Sequence, residues 1–196
     1  MRTLILASAS AGRAELLART GVPFTVSPSE CGEEMCACDP VEHVKVLALR
    51  KARDVARRRQ DAVVVGADTV IDLDGEILGK PESDQHAERM LTRLSGRYHR
   101  LLTGLAIVDS ARGAEYVGVE ATLVHLRELT PSQIRAYVAS GEPAGKSGAY
   151  EIQGRGATLI DRIEGDFSNV VGLPMAHLAR ELAPFGIDLL SFCMRG

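Results

Sequence analysis

Residues 63–71, Val-Val-Val-Gly-Ala-Asp-Thr-Val-Ile, decide the fold class of this chain. So apolar a run predicts a buried β-strand, from Ala62 to Ile71. One carboxylate, that of Asp68, interrupts the run. Burying an ion without partners costs several kcal/mol, so such a group is usually paired, metal-bound or catalytic. We therefore interpret Asp68 as a general base or a metal ligand; the alternative is a structural carboxylate bonded to backbone amides or to Lys80.

The dipeptide Asp74-Gly75 predicts a two-residue hairpin turn directly after this strand. The resulting register places Lys80 opposite Thr69, and so within one residue of Asp68. In an ideal strand pair, however, Lys80 shares the face of Thr69 while Asp68 points to the other face. A β-bulge near Gly79 is needed to bring both charges onto one face.

Strand and helix patterns alternate along the rest of the chain. Periodicity and capping signals predict a strand at Thr3 to Ala7, a helix carrying Ala14, Leu17 and Ala18, helices from Val41 to about Arg58 and from Asp84 to Leu94, strands at Leu101 to Val108 and Tyr116 to Leu126, a helix opened by the capping box at Thr130 and ended by Gly141, a strand at Thr158 to Ile163 and a last helix from Met175 to Ala183. No repeat or linker divides the sequence. We predict a single domain over residues 1–196, of α/β or α+β class, with a mixed twisted sheet flanked by helices.

Two further segments carry candidate functional groups. Residues 8–13, Ser-Ala-Ser-Ala-Gly-Arg, lie between a strand and a helix start and offer hydroxyls, backbone N–H groups and a guanidinium. These groups suit a phosphate site, whereas simple capping of the helix by Ser10 is the alternative. Lys51 lies on the apolar stripe of the second helix. It is either a snorkelling side chain at the core edge or a cation directed into a pocket.

The composition argues against several classes of protein. Because 23 Lys and Arg stand against 26 Asp and Glu, the chain lacks the basic surplus of a nucleic-acid binder. Four Tyr, four Phe and no Trp disfavour base stacking as the main recognition mode. The apolar runs are too short to span a bilayer and the first residues carry no cleavage-type signal, so we expect a cytoplasmic protein with neither nucleic-acid polymer nor membrane as partner.

Two cysteine and glycine patterns are weaker. Cys31, Cys36 and Cys38 form a cluster. A zinc site usually has a different spacing of its cysteines and a second pair further along the chain. An ordinary reduced loop is therefore favoured over a metal or redox site. Residues 141–147, Gly-Glu-Pro-Ala-Gly-Lys-Ser, differ from a P-loop because the first Gly is one residue too close and the segment follows a helix.

Taken together, six segments resemble the Maf family of nucleoside triphosphate pyrophosphatases, in the family's order and over nearly the whole chain. They are residues 6–17 (Leu-Ala-Ser-Ala-Ser with Arg13 and Glu15-Leu-Leu), 65–70 (Val-Gly-Ala-Asp-Thr-Val), 78–81 (Leu-Gly-Lys-Pro), 90–99 (Met-Leu, Leu94-Ser-Gly and His99), 145–154 (Gly-Lys-Ser-Gly-Ala-Tyr with Ile152-Gln-Gly) and 169–174 (Asn-Val-Val-Gly-Leu-Pro). The resemblance implies a Maf/Ham1-like fold, as in inosine triphosphate pyrophosphatases, bilobed with a central cleft. It also implies hydrolysis of a nucleoside triphosphate between the α- and β-phosphates, a divalent metal (Mg²⁺ or Mn²⁺) and a homodimer.

The resemblance also implies residue roles. Asp68 matches the proton acceptor that prepares the attacking water and also a metal ligand. Contacts to the triphosphate are implied for five positions: Ser8, Ser10, Arg13, Lys51 and Lys80. Glu34 matches the family's acidic residue near the metal, with Glu33 as the alternative because the preceding loop is one residue longer here.

Thr69 and Gln153 resemble the branch of the family that acts on dTTP and UTP, and their neutral polar groups suit the imide edge of a pyrimidine. One departure concerns the first loop, which in the family reads Ser-Pro-Arg-Arg and here reads Ser-Ala-Gly-Arg. Gly12 therefore stands at a position that the family uses for substrate selection. We expect housecleaning hydrolysis of pyrimidine nucleotides; the alternative is a nucleotide-binding regulator of septum formation with little catalytic activity.

Overall fold

The computed structural model describes residues 2–32 and 39–192 of the chain. Within these ranges the strands are β1 (Thr3–Leu6), β2 (Phe24–Val26), β3 (Ala62–Leu73), β4 (Glu76–Leu78), β5 (Tyr98–Asp109), β6 (Glu115–Leu126) and β7 (Ile160–Glu164). The α-helices are α1 (Ala11–Ala18), α2 (Pro40–Ala56), α3 (Asp84–Leu94), α4 (Pro131–Val138), α5 (Phe167–Val171) and α6 (Met175–Leu182). Short 3-10 helices occupy Ser147–Ala149, Arg155–Leu159 and Ala183–Phe185.

The strands form a mixed sheet in the order β2-β1-β3-β5-β6-β7, and β4 pairs with β3 outside this path. Both β2 and β3 run parallel to β1. The β3-β4 and β6-β7 pairs are antiparallel. The predicted mixed sheet with flanking helices is therefore confirmed.

The chain divides into two compact units, and three of the boundaries between them fall within the residue ranges of β3, β5 and β6. Unit 1 consists of Met1–Asp68, Thr103–Glu120 and Gly172–Gly196, and unit 2 consists of Thr69–Leu102 and Ala121–Val171. The first division falls between Asp68 and Thr69, two adjacent residues of β3.

In unit 1 the core forms where α2 packs on the strands. Ala48 and Ala52 of α2 are fully buried and share an apolar cluster with Ile5 of β1 and Val64 of β3. Small residues on α2 keep the helix close to the sheet. This close packing also positions the ion pair between Lys51 of α2 and Asp68 of β3.

In unit 2 a larger apolar cluster joins α3, α4 and the strands. Leu91 and Leu94 of α3 pack with Ile134 of α4 and with Leu126 of β6, and all four are at most 5% exposed. A capping box opens α4: Thr130 accepts from the backbone of Gln133, whose side chain accepts from the backbone N–H of Thr130.

Most predicted elements are confirmed to within a few residues, and α3 matches Asp84 to Leu94 at both ends. The exceptions are short or end early. Sequence patterning does not indicate β2, α5 or the 3-10 helices, and α4 ends at Val138 instead of continuing to Gly141. Gly141 lies beyond the helix with a φ of 76°, a conformation that favours glycine.

Candidate active site

A buried ion pair lies at the centre of the candidate site in unit 1. Lys51 Nζ donates to Asp68 Oδ1 over 2.7 Å, and the two side chains are 9% and 11% exposed. A lysine on the apolar stripe of α2 is thus explained by a partner and not by snorkelling. The partner of Asp68 in this pair is Lys51, which the sequence pattern does not predict.

Gly66 allows this pair to form. A Cβ at Gly66 would overlap the carbonyl oxygen of Ala48 and lie 2.8 Å from the backbone nitrogen of Ala52. Only glycine therefore lets β3 approach α2 this closely. Lys51 precedes Ala52 by one residue and Asp68 follows Gly66 by two, so the close approach brings the two charges within bonding distance.

A second cation, Arg13 in the first turn of α1, is held by the loop after β1 and by β3. Arg13 Nη1 donates to Ser8 Oγ at 3.1 Å and to the carbonyl oxygen of Ala67 at 2.9 Å, while Nε donates to the carbonyl oxygen of Gly172 at 2.7 Å. These bonds fix the orientation of the guanidinium. Because Ala67 directly precedes Asp68, Arg13 is anchored to the same stretch of β3 as the ion pair.

Ser8 and Ser10 organise this loop. Ser8 Oγ accepts from the backbone nitrogen of Ser10 at 3.2 Å, and Ser10 caps α1 by accepting from the backbone nitrogen of Arg13 at 3.4 Å. The capping interpretation of Ser10 is confirmed. Capping does not exclude a phosphate site, since the remaining N–H groups of a helix start are still directed outward from the helix end.

The loop and the ion pair share one edge of the parallel part of the sheet. Leu6, the last residue of β1, pairs with Val65 of β3, and the next residue, Ala7, donates to the carbonyl oxygen of Val65 at 2.7 Å. The loop after β1 therefore begins beside residues 66–68. Ligands in α/β sheets bind near the carboxyl ends of parallel strands. Here β1 ends at Leu6 and its parallel pairing with β3 ends at Val65, although β3 itself continues to Leu73.

Three candidate residues belong to unit 2: Thr69, Lys80 and Gln153. The predicted hairpin register is confirmed, since Ile71 pairs with Leu78 and Leu73 with Glu76. However, β4 ends at Leu78, before Lys80 is reached. Lys80 and Gln153 are exposed and Thr69 is half-buried. The predicted approach of Lys80 to Asp68, with its bulge near Gly79, stays a prediction.

Residues 141–147 do not form a P-loop. The segment consists of turns followed by a three-residue 3-10 helix, and Lys146 forms an ion pair with Glu151 at 2.9 Å. The rejection of that motif is confirmed.

Glu33, Glu34, Cys36 and Cys38 lie outside the described residues, and Gly12 occupies the first turn of α1. Among residues 2–32 and 39–192, no group of three or more His, Cys, Asp and Glu is placed to hold a metal ion. Mg²⁺ in nucleotide enzymes is typically held by one or two carboxylates together with substrate phosphates and water. Asp68, a carboxylate at the candidate site, fits that donor set.

Sequence reasoning missed two backbone groups of this site, the carbonyl oxygens of Ala67 and Gly172 that hold Arg13. A carbonyl has no side-chain signature, so only the position of Gly172 within the Asn169 to Pro174 segment could have drawn attention to it.

Among the described residues, no helix combines the length and apolar character that crossing a membrane requires.

Comparison with known proteins identifies the family of this chain. The family model described as "Maf-like protein" matches residues 3–185. A dTTP/UTP pyrophosphatase of Moorella thermoacetica is 53% identical over 190 residues, which is 96% of this chain and 98% of that protein. Proteins of the same name from Symbiobacterium thermophilum and Thermococcus kodakarensis are 50% and 47% identical, over 97% and 96% of this chain and 98% and 99% of theirs.

Among solved structures, a dITP/XTP pyrophosphatase of Mycobacterium abscessus aligns over 93% of this chain and 98% of its own, with a TM-score of 0.47 and 17% identity. The family match covers most of the chain. The chain therefore belongs to the Maf family, whose model spans residues of both units.

Proposed function

We propose that this chain hydrolyses dTTP and UTP to the nucleoside monophosphate and pyrophosphate. The observation that carries the proposal is the buried Lys51–Asp68 pair, together with the bond from Arg13 to the carbonyl oxygen of Ala67, the residue before Asp68. Relatives at 47–53% identity over nearly the full chain carry the name dTTP/UTP pyrophosphatase, which supports this substrate pair.

In this proposal Asp68 accepts a proton from the water that attacks the α-phosphorus, and the bond between the α-phosphorus and the bridging oxygen to pyrophosphate breaks. Lys51 stabilises the negative charge of the carboxylate through its 2.7 Å bond, which holds Asp68 in one orientation. A fixed acceptor contributes to rate because the reacting groups are already aligned.

Three cationic side chains suit a substrate that carries several negative charges. Arg13, Lys51 and Lys80 offset the charge of the triphosphate, and Ser8 and Ser10 line the loop that receives it. Arg13 is oriented by groups of the protein itself, namely Ser8 and two carbonyl oxygens. Binding therefore requires less ordering of this side chain, which favours affinity.

A divalent cation, Mg²⁺ or Mn²⁺, would be held by Asp68 together with Glu34. Such an ion neutralises phosphate charge as the bond breaks. In unit 2, Thr69 and Gln153 would recognise the imide edge of the pyrimidine through a hydroxyl and an amide.

The decisive experiment is pyrophosphate release from a panel of triphosphates (dTTP, UTP, CTP, dCTP, GTP, ATP and 7-methyl-GTP), with Mg²⁺ or Mn²⁺. We expect turnover of dTTP and UTP by the unmodified chain and a loss of at least about 100-fold for Asp68→Asn, the usual contribution of a general base. Tight binding without turnover of any triphosphate would instead support the regulator of septum formation.

We also propose that the whole chain acts as one functional domain, since the family match crosses both units, and that it forms a homodimer in the cytoplasm. Light scattering coupled to size exclusion measures the mass directly. A mass near 21.0 kDa would contradict the dimer.

A further inference from the structure

A turn in unit 2, residues 145–149, holds two of the proposed substrate-binding positions. Ser147 Oγ donates to the carbonyl oxygen of Thr69 at 2.9 Å. The next residue, Gly148, donates its backbone N–H to the carbonyl oxygen of Gly79 at 2.9 Å. Thr69 is proposed to recognise the base and Gly79 directly precedes Lys80, so the turn bonds to both sides of the β3-β4 hairpin where its regular pairing has ended.

The turn is built to hold this position. Gly148 has a φ of 68°, and a Cβ there would overlap Cδ1 of the buried Ile71 on β3. Ala149 has a φ of 63°, uncommon for a residue other than glycine, and is fully buried. Residues kept in such backbone conformations are over-determined by their surroundings and concentrate at functional sites.

An ion pair closes the same segment. Lys146 Nζ and Glu151 Oε2 lie 2.9 Å apart, and the backbone nitrogen of Glu151 donates to the hydroxyl of Tyr137 at 3.1 Å. Burial raises the pKa of Tyr137 to about 12, which keeps this hydroxyl neutral. The segment is thus anchored to α4 on one side and to the hairpin on the other, and it continues directly to Gln153.

We infer that Ser147 is a positioning residue for base selection: through the 145–149 turn it fixes Thr69 and Lys80 relative to each other within unit 2. The inference rests on the proposed function. Ser147 touches no substrate in this scheme. It holds the backbone of Thr69 through its hydrogen bond. Without this bond the backbone is less constrained, and the Thr69 hydroxyl can then recognise other bases.

The test compares UTP with CTP, which differ only at the edge of the base that Thr69 is proposed to recognise. The measured quantity is the ratio of kcat/KM for UTP to that for CTP. We expect Ser147→Ala to lower this ratio about fivefold, a change of the size that one neutral hydrogen bond supports. Ser147→Thr retains the hydroxyl and is expected to restore the ratio to within about twofold.

Thr92→Ala is a matched control, because Thr92 Oγ1 also donates to a carbonyl oxygen in unit 2, that of Glu88, at 2.7 Å on α3. It is expected to leave the ratio unchanged. A purely structural role of Ser147 would lower kcat/KM for both nucleotides equally and leave the ratio as it is. That result would overturn the inference.

Hydrogen exchange of the unliganded protein gives a second readout independent of activity. Ser147→Ala is expected to increase exchange in the peptides covering residues 68–73 and 76–81, with no change in α3. Unchanged exchange would overturn the inference while leaving the proposed function intact. An unmodified chain that neither binds nor hydrolyses UTP selectively would overturn both.

Discussion

Lys51 of α2 and Asp68 of β3 form an ion pair that is about nine-tenths buried, with 2.7 Å between Nζ and Oδ1. A pair of this kind is costly to desolvate, so well-packed apolar residues would serve stability equally well or better. A charged pair placed here is therefore better explained by chemistry than by folding.

Removing Lys51 takes the 2.7 Å partner away from the buried carboxylate of Asp68, and breaking a buried pair in this way is costly. We expect Lys51→Met to lower the free energy of unfolding by about 3–5 kcal/mol, measured by urea denaturation. The double variant Lys51→Met with Asp68→Leu should recover most of this loss yet hydrolyse no nucleotide. Arg93→Ala, which removes an exposed pair with Glu76 at 2.6 Å, serves as the control and should change stability little. A double variant as unstable as the single one would mean that the pair supports the fold.

Gly66 is expected to tolerate no side chain. In Gly66→Ala the new Cβ would overlap the backbone of α2 at Ala48, so the helix must shift away from β3. We expect the free energy of unfolding to fall by about 1–3 kcal/mol, the range for overpacked cores. We expect kcat to fall by a larger fraction than the free energy of unfolding, because Lys51 moves with the helix. Gly79→Ala is the stability control, since nothing lies within 4 Å of a Cβ there. A fully active Gly66→Ala would show that the close approach is unnecessary.

The sequence predicts the long elements because their signals are local. The apolar run of β3, the Asp74-Gly75 turn and the capping box at Thr130 each need only a few neighbouring residues, and the structure contains all three. By contrast, β2 has three residues and α5 five, too short for a period to emerge.

The candidate site is predictable only in part for a related reason. Asp68 and Lys51 stand out as charges within apolar patterns, but nothing in the sequence shows that they pair. That contact depends on Gly66 and on the packing of α2, which are tertiary features. Arg13 donates to the carbonyl oxygen of Gly172, which is 159 residues away, and Ser147 donates to that of Thr69, which is 78 residues away. No local sequence pattern extends over such separations.

Substitutions at Gly12 test whether the difference between this first loop and the family's sequence affects substrate binding. Gly12 lies in the first turn of α1, one residue before Arg13. We expect Gly12→Arg to lower KM for dTTP by about tenfold, since a charged hydrogen bond to phosphate contributes about 1.5–3 kcal/mol and part of this is offset by the helix dipole. Gly12→Ala is the control for the backbone and should leave KM unchanged. An unchanged KM in Gly12→Arg would show that position 12 does not face the triphosphate.

His99 predicts how stability depends on pH. It is 2% exposed on β5, and its Nε2 lies 2.8 Å from the hydroxyl of the buried Tyr150. Burial, with a smaller effect of His125, lowers the pKa of His99 to about 4. Because the unfolded chain protonates this group near pH 6.5 and the folded chain does not, the unfolded state binds more protons between these two pH values. Stability therefore falls as the pH decreases through this window.

The expected loss is about 3 kcal/mol between pH 7 and pH 4, from the free energy of one pKa unit. It is measured by urea denaturation at a series of pH values. His99→Gln keeps a partner for Tyr150 but does not titrate, so its stability should be nearly flat from pH 7 to about pH 5.5, above the range in which Glu76 and Glu115, whose pKa values are lowered by Arg93 and Arg53, lose their contribution. Arg2 lowers the pKa of Asp109 below its usual 3.8, so the stability from that carboxylate is lost only at more acidic pH and does not obscure the window. Parallel pH profiles for His99→Gln and the unmodified chain would show that His99 is protonated in the folded state, or that another group governs the acid sensitivity.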